Sequence, residues 1–136
     1  MKKSLKNYEI ENIVTTLSHN DSFLKNVSIK LPQEFRQAIR INLKRFTERL
    51  SIYEEGRKEL IQNYIASGHA FANNDGSVKF EETYVKTAMY ELNELANVNN
   101  ELDIEVVDKE VLEKISKMDI SMAEDDIIHI FEAEEK

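Results

Sequence analysis

The chain has 136 residues, of which 41% are hydrophobic and 32% are charged, and this composition suits one domain with a modest apolar core. No apolar run approaches the roughly 20 residues that a transmembrane helix needs, which excludes a membrane-spanning protein and predicts no membrane partner. The absence of cysteine excludes disulfides, thiolate metal sites and cysteine nucleophiles. The absence of cysteine also fits a reducing cytoplasm. No apolar core follows the two lysines of "MKKSLKNYEIEN", so this stretch is not expected to be a secretory signal.

The net charge of -8 is unevenly distributed along the chain. Residues 1–68 carry a net charge of +4, and residues 69–136 carry a net charge of -12. The two halves can fold onto each other and compensate, or the acidic half can present a surface for a basic protein partner.

The first predicted helix covers Tyr8–His19, with Asn7 as its N-cap. Its apolar residues recur at the spacing of one helix face: Ile10, Ile13, Val14 and Leu17. The stretch Val27–Leu31 then alternates between apolar and polar residues, which predicts a short strand.

The second helix is predicted over Gln33–Ala66, about 50 Å long at 1.5 Å per residue. Pro32 suits the first turn of such a helix. Apolar residues follow four- and three-residue steps, interrupted by Arg57 alone: Ile39, Leu43, Phe46, Leu50, Tyr53, Leu60 and Tyr64. A seam of this kind needs a partner helix, which predicts an internal packing partner or a homo-oligomer through helix 2.

A third helix is predicted at about 81–97, antiparallel to the far end of helix 2. The alternation in "ELDIEVV", which begins at Glu101, predicts a strand paired with Val27–Leu31. Asp108 can cap a short helix, and Ser121 begins a capping-box motif before a last helix. The expected fold is therefore mainly α, one domain over residues 1–136, with a long antiparallel helical hairpin, short flanking helices and a small two-stranded β patch.

The connector "FANNDGSVKFEE" has the offsets of the second half of an EF-hand calcium loop. Asn73, Asp75 and Glu82 would be the ligands, but Phe71 stands at the first ligand position, where an aspartate is usual. The same residues suit a turn, with His69–Ala72 and residues 77–80 as a hairpin. The turn is the favoured interpretation, and calcium binding is the alternative.

No motif for catalysis, metal binding or nucleotide binding is present, so no enzyme activity, catalytic residue or cofactor is predicted. The three histidines of the chain have no metal-ligand spacing. A row of basic residues lies along helix 2: Arg36, Arg40, Lys44, Arg45 and Arg49. Because the whole chain is negative, the row is interpreted as a solvated flank, and direct nucleic-acid binding is not expected.

The acidic residues of the second half are the candidate partner-binding residues. They recur on several predicted elements, and the five chosen are Glu101, Asp103, Glu105, Asp125 and Asp126. If folding gathers them on one face, electrostatic attraction to a basic partner would speed association.

Several stretches together resemble a family of uncharacterised small proteins of tailed phages and prophages of Gram-positive bacteria. They are "LKNYEIEN", "KLPQEFRQAIRINLKRF", "YEEGRKELIQNYI", "NNDGSV" and "YELNELANVNNELDIEVV", and their order covers nearly the whole chain. The chain departs from that pattern in "SGHAF" and "SHNDSFLKN". The resemblance implies a phage or prophage origin and expression in a bacterial cytoplasm, and it carries no catalytic residue over.

The expected function is that of a non-enzymatic phage accessory protein that binds a basic host or phage protein. Inhibition of a host defence system through the acidic surface is the favoured form. A structural role in particle assembly and a degenerate EF-hand-like calcium module are the alternatives.

Overall fold

The computed structural model describes residues 1–133. Five α-helices lie within this range: α1 (Asn7–Ser18), α2 (Gln33–Ala66), α3 (Val85–Ala96), α4 (Lys109–Ser116) and α5 (Met122–Ile128). The strands there are β1 (Lys2–Lys6), β2 (Ala70–Ala72), β3 (Val78–Phe80) and β4 (Asn99–Asp103). Short 3-10 helices cover Phe23–Lys25, Glu82–Tyr84 and His129–Phe131. The mainly α prediction is confirmed, and α2 has the predicted bounds.

The main apolar core lies where α1, the first half of α2, β4, α4 and α5 meet. Two ring pairs mark its centre. Phe46 of α2 packs against Phe131 with ring centroids 6.1 Å apart, and Phe23 packs against Phe35 at the same distance. The near half of the helix 2 seam is therefore covered from within the chain.

The far half of α2 packs against α3, as the hairpin prediction required. Leu95 lies near Gly56, whereas Glu91 accepts a hydrogen bond from Tyr64, and this order makes the two helices antiparallel. Arg57, which interrupts the seam, lies over the ring of Tyr53 and pairs with a carboxylate of α1.

We call residues 54–98 the arm: the far half of α2, the β2–β3 hairpin and α3. Among residues 54–98, the buried hydrophobic side chains are Ala70 and Ala88 alone. The predicted third helix began too early, because Glu82–Tyr84 form a 3-10 turn before α3 starts at Val85.

The predicted pairing of Val27–Leu31 with the later strand is wrong. That stretch is a turn, in which Asn26 accepts the amide of Ser28, while Ile29 and Leu31 are buried. The partner of β4 is instead β1, antiparallel, with Lys2 opposite Asp103 and Lys6 opposite Asn99. A second two-stranded sheet, β2 with β3, confirms the predicted hairpin.

Asn7 is not the N-cap that the sequence predicts. The N-cap is Lys6, whose backbone amide donates to Glu9, and Asn7 is the buried first residue of α1. The Asn7 side chain donates to the carbonyl of Leu95 at 2.8 Å and accepts from Asn100 at 2.9 Å. This amide pair joins the start of α1 to the α3–β4 connection.

The later caps follow the prediction more closely. Asp108 stands at the N-cap of α4, although its side chain makes no capping hydrogen bond. Ser121 and Glu124 form the predicted capping box, with reciprocal distances of 3.0 and 3.1 Å. Within residues 1–133, no helix combines the length and the apolar character needed to cross a membrane.

Asn42 is the most buried polar residue of α2, with 1% of its surface exposed. Its side-chain amide donates to the carbonyl of Glu105 at 2.9 Å, and its oxygen accepts the Glu105 amide at 2.8 Å. The side chain thus pairs with both the N–H and the C=O of Glu105, which lies two residues after the end of β4.

We expect Asn42→Ala to lower the free energy of unfolding by about 1–3 kcal/mol, because both backbone groups of Glu105 lose their partner. Urea unfolding followed by circular dichroism measures the change. The control is Gln37→Ala, on the exposed face of the same helix, which should change stability little. Equal effects of the two substitutions would contradict the structural role of Asn42.

We expect Gly56→Ala to raise the free energy of unfolding by about 0.5–1 kcal/mol, because alanine favours the helix interior. The added Cβ would meet the Leu95 methyls at 3.6 Å, an ordinary contact. Gly68→Ala is the matched comparison, since Gly68 has φ 78° and a side chain there costs about 1–2 kcal/mol. A destabilised Gly56→Ala would show that α3 packs closer than described.

Candidate protein-binding surface

Three of the predicted acidic residues lie on or just after β4, beside basic residues of the chain. In the strand register, Asp103 is opposite Lys2 and Glu101 is opposite Ser4. Arg45 of α2 donates to the carbonyl of Asp103 at 2.9 Å, and its guanidinium lies 3.6 Å from the Glu105 carboxylate. The charge of this group is therefore partly compensated within the fold.

The other two predicted residues, Asp125 and Asp126, lie on α5. The Asp125 carboxylate lies 3.7 Å from Nδ1 of His129, one helical turn later. Asp126 is exposed and forms no hydrogen bond or ion pair with any residue in the described range. The five residues are thus divided between the β4 region and α5, and Asp126 borders a cavity.

An open cavity of about 320 Å³ lies between α1 and α5, and we call it the α1–α5 groove. Ile13 and Ile127, with 1% and 4% of their surface exposed, form its floor, and the half-exposed Tyr8 and the exposed Ala123 contribute apolar surface. Glu9 and Asp126 also line the groove, and no lysine or arginine of residues 1–133 does. The lining residues in that range are Tyr8, Glu9, Asn12, Ile13, Ala123, Asp126, Ile127 and Ile130.

The two carboxylates of the groove differ in how they are held. Glu9 accepts the backbone amide of Lys6 at 3.0 Å, so its position is fixed by the start of α1. Asp126 has no such partner in residues 1–133, so its charge remains available to a ligand. Apolar surface beside an uncompensated carboxylate favours an amphipathic ligand with a positive charge.

A polar cavity next to the α5 N-terminus has a structural explanation. Glu124 lines it, but this buried carboxylate accepts the amides of Phe23 at 2.7 Å and Ser121 at 3.0 Å. Its charge is therefore used to hold the loop after α1 against α5.

The predicted calcium ligands lie in the β2–β3 turn and the 3-10 helix after it. Asp75 accepts the amide and the hydroxyl of Ser77 at 3.0 and 2.6 Å, and the Asn73 side chain donates to the same hydroxyl. These bonds, first that from the hydroxyl, hold the pKa of Asp75 below its usual value. Gly76, with φ 88°, completes the turn, while Glu82 belongs to the following 3-10 helix.

The other titratable groups of the described residues show no metal site and little pairing along the basic row of α2. Across residues 1–133, no group of three or more histidine or carboxylate side chains is placed to hold a metal ion. Along the basic row of α2, Arg45 is paired and Arg36 contacts the carbonyl of Leu24. Three members are exposed and form no ion pair with the described residues: Arg40, Lys44 and Arg49.

Sequence reasoning missed the α1 side of the groove. The sequence predicts Ile13 on the buried face of α1 and does not predict that this face borders a groove. The large ring of Tyr8 beside the polar residues Glu9 and Asn12 was the one local indication of a binding surface, and only tertiary packing shows which element lies opposite them.

Comparisons of the chain with protein-family models, with curated proteins and with solved structures each find no match. A functional hypothesis therefore depends on the surface chemistry of the chain itself.

We expect millimolar calcium to leave the amide NMR signals of residues 73–82 unchanged. The Asp75 carboxylate already accepts the Ser77 hydroxyl, and the Phe71 side chain has no oxygen to offer as a ligand. A calcium titration followed by ¹H–¹⁵N correlation spectra checks this. Saturable shifts in wild-type protein that disappear in Glu82→Gln would establish the calcium alternative instead.

Proposed function

We propose that the protein acts by binding a basic, amphipathic segment of a partner protein in the α1–α5 groove, without chemistry of its own. The observation that carries the proposal is the composition of this groove. Apolar surface of Tyr8 and Ala123, above the buried Ile13 and Ile127, lies beside Asp126, which has no partner within residues 1–133. No lysine or arginine of the described residues lines the groove.

The chemistry of the groove defines the segment that fits. A leucine-like side chain would bury its apolar surface against Tyr8 and Ala123, above the two isoleucines, gaining roughly 25 cal/mol per Å². A lysine or arginine one turn away would reach Asp126 and form a charge-assisted hydrogen bond. Tyr8, about half exposed at the edge, offers the kind of aromatic contact that is enriched at interfaces.

The biological setting rests on the resemblance to phage and prophage proteins. In that setting the protein acts in the cytoplasm of the bacterial host, and its partner is a basic host or phage protein. Inhibition of a host defence system is the proposed form, and assistance in particle assembly is the second candidate. Both require binding, and the groove serves either.

We expect a fluorescein-labelled 18-residue amphipathic peptide of leucine and lysine to bind the protein. The same peptide with glutamate in place of lysine should not bind. Fluorescence anisotropy measures the dissociation constants. Asp126→Lys should weaken binding of the lysine peptide about tenfold, because attraction becomes repulsion beside the apolar contact. Raising the salt concentration should weaken it further in the wild type.

The matched control is Glu48→Lys, the same change of charge at an exposed position of α2 outside the groove. It should change the affinity far less than Asp126→Lys. If both reversals have equal effects, the peptide responds to net charge alone and the groove is not the binding site.

A further inference from the structure

A second groove lies between α2 and α3 of the arm, with a volume of about 610 Å³. Leu60 and Leu95 contribute apolar surface to it, and no lysine or arginine within residues 1–133 lines it. The lining residues are Leu60, Thr87, Tyr90, Glu91, Glu94, Leu95 and Val98. We call it the arm groove.

Each of the two carboxylates of the arm groove lies near a tyrosine of the arm. The Tyr64 hydroxyl donates to Glu91 at 3.1 Å. Hydrogen bonding to Glu94 and the charge of that carboxylate, with some burial, raise the pKa of Tyr90. Burial, followed by the bond to Glu91 and its charge, raises the pKa of Tyr64. The two tyrosine hydroxyls therefore remain neutral donors.

This set of groups matches an arginine or lysine side chain. The aliphatic stem of such a residue can lie on Leu60 and Leu95. Its charged head can reach Glu91 and Glu94, each of which has acceptor capacity beyond the tyrosine bond. Tyr90, with 64% of its surface exposed, offers a ring face for a cation–π contact.

The arm groove and the α1–α5 groove end next to each other. Val98 lines the former and Tyr8 the latter. The amide of Asn7, the neighbour of Tyr8, donates to the carbonyl of Val98 at 3.1 Å. Tyr8 and Val98, exposed to 48% and 49%, are therefore open apolar residues at the adjoining ends of the two grooves.

We propose that the arm groove binds a second basic side chain of the same partner segment that occupies the α1–α5 groove. The inference rests on the proposed function, and it adds that the segment is elongated, apolar where it crosses Tyr8 and Val98, and basic on both sides of this crossing. Charge complementarity selects this occupant. Glu91 and Glu94 in the arm groove and Asp126 in the α1–α5 groove are all acidic, so each groove attracts a basic side chain of the segment.

Lys6 places a positive charge where the segment would cross between the two grooves, beside Tyr8. Its ammonium group lies 6.0 Å from the centroid of the Tyr8 ring and 3.4 Å from Oδ1 of Asn97. A positive charge on the segment is therefore disfavoured at the crossing itself, which is why the basic residues belong on either side.

The test uses the fluorescein-labelled 18-residue leucine–lysine peptide and two variants of the arm groove, Tyr90→Leu and Glu94→Gln. Each should weaken binding about fivefold by anisotropy, whereas Lys6→Gln should tighten it. The matched control is Glu59→Gln, an exposed carboxylate of the arm outside the groove, which should leave the affinity unchanged. In ¹H–¹⁵N spectra the peptide should shift the amides of Thr87, Leu95 and Ile127 together.

The outcomes separate the inference from the proposed function. If Asp126→Lys weakens binding while both arm variants bind normally and the amides of Thr87 and Leu95 do not shift, the arm inference fails and the proposed function stands. If the arm variants alone weaken binding, the proposed function fails, and with it the idea of one segment in two grooves. If no variant matters, both are wrong.

Discussion

The double hydrogen bond between Asn42 and the backbone of Glu105 is the contact on which the arrangement of the C-terminal third depends. It fixes the segment after β4 against α2, at distances of 2.8 and 2.9 Å. Two residues later, Val107 donates to the carbonyl of Phe131 and accepts the amide of Ala133. Phe131 thereby reaches Phe46, and α5, which precedes it, is placed against α1. A buried amide in the first third of α2 thus helps to place the elements that border the α1–α5 groove.

The sequence predicted those elements whose signal is local and repeated. α2 carries an apolar period over 34 residues, so its bounds could be read directly. The β1 strand could not be found in the same way, because Leu5 is the single apolar residue in "KKSLK" and its partner β4 lies almost 100 residues away. Val27–Leu31 shows a strand-like alternation without being a strand. Ile29 and Leu31 are buried, as the alternation suggests, but they lie in a turn that precedes α2. Asn7 and Asn42 resemble surface or cap residues in sequence, and only the packed fold shows their buried partners.

The acidic half of the chain illustrates why net charge is a poor guide to a binding surface. The excess of carboxylates in residues 69–136 is large, yet part of it is locally engaged. Glu105 faces Arg45, Glu124 caps backbone amides, and Asp75 closes a turn. Asp126, by contrast, has no partner within the described residues, and it borders a cavity that no described lysine or arginine lines. A charge recognises a partner where the fold leaves it uncompensated beside surface that gains from burial.

The arm raises a question of stability that bears on how binding and folding are coupled. Two alanines are its buried apolar residues, so its order depends on ring contacts such as Tyr64 with Phe80, at 5.6 Å, and His69 with Tyr84, at 3.7 Å. Segments with so little buried apolar surface open at lower free energy than a core. A ligand that contacts α3 in the arm and α1 in the core would favour the closed arm, because it binds the folded arrangement and not the opened one. An elongated partner of the proposed kind would thus supply contacts that α2 and α3 do not make with each other, and its binding would be coupled to the order of the arm.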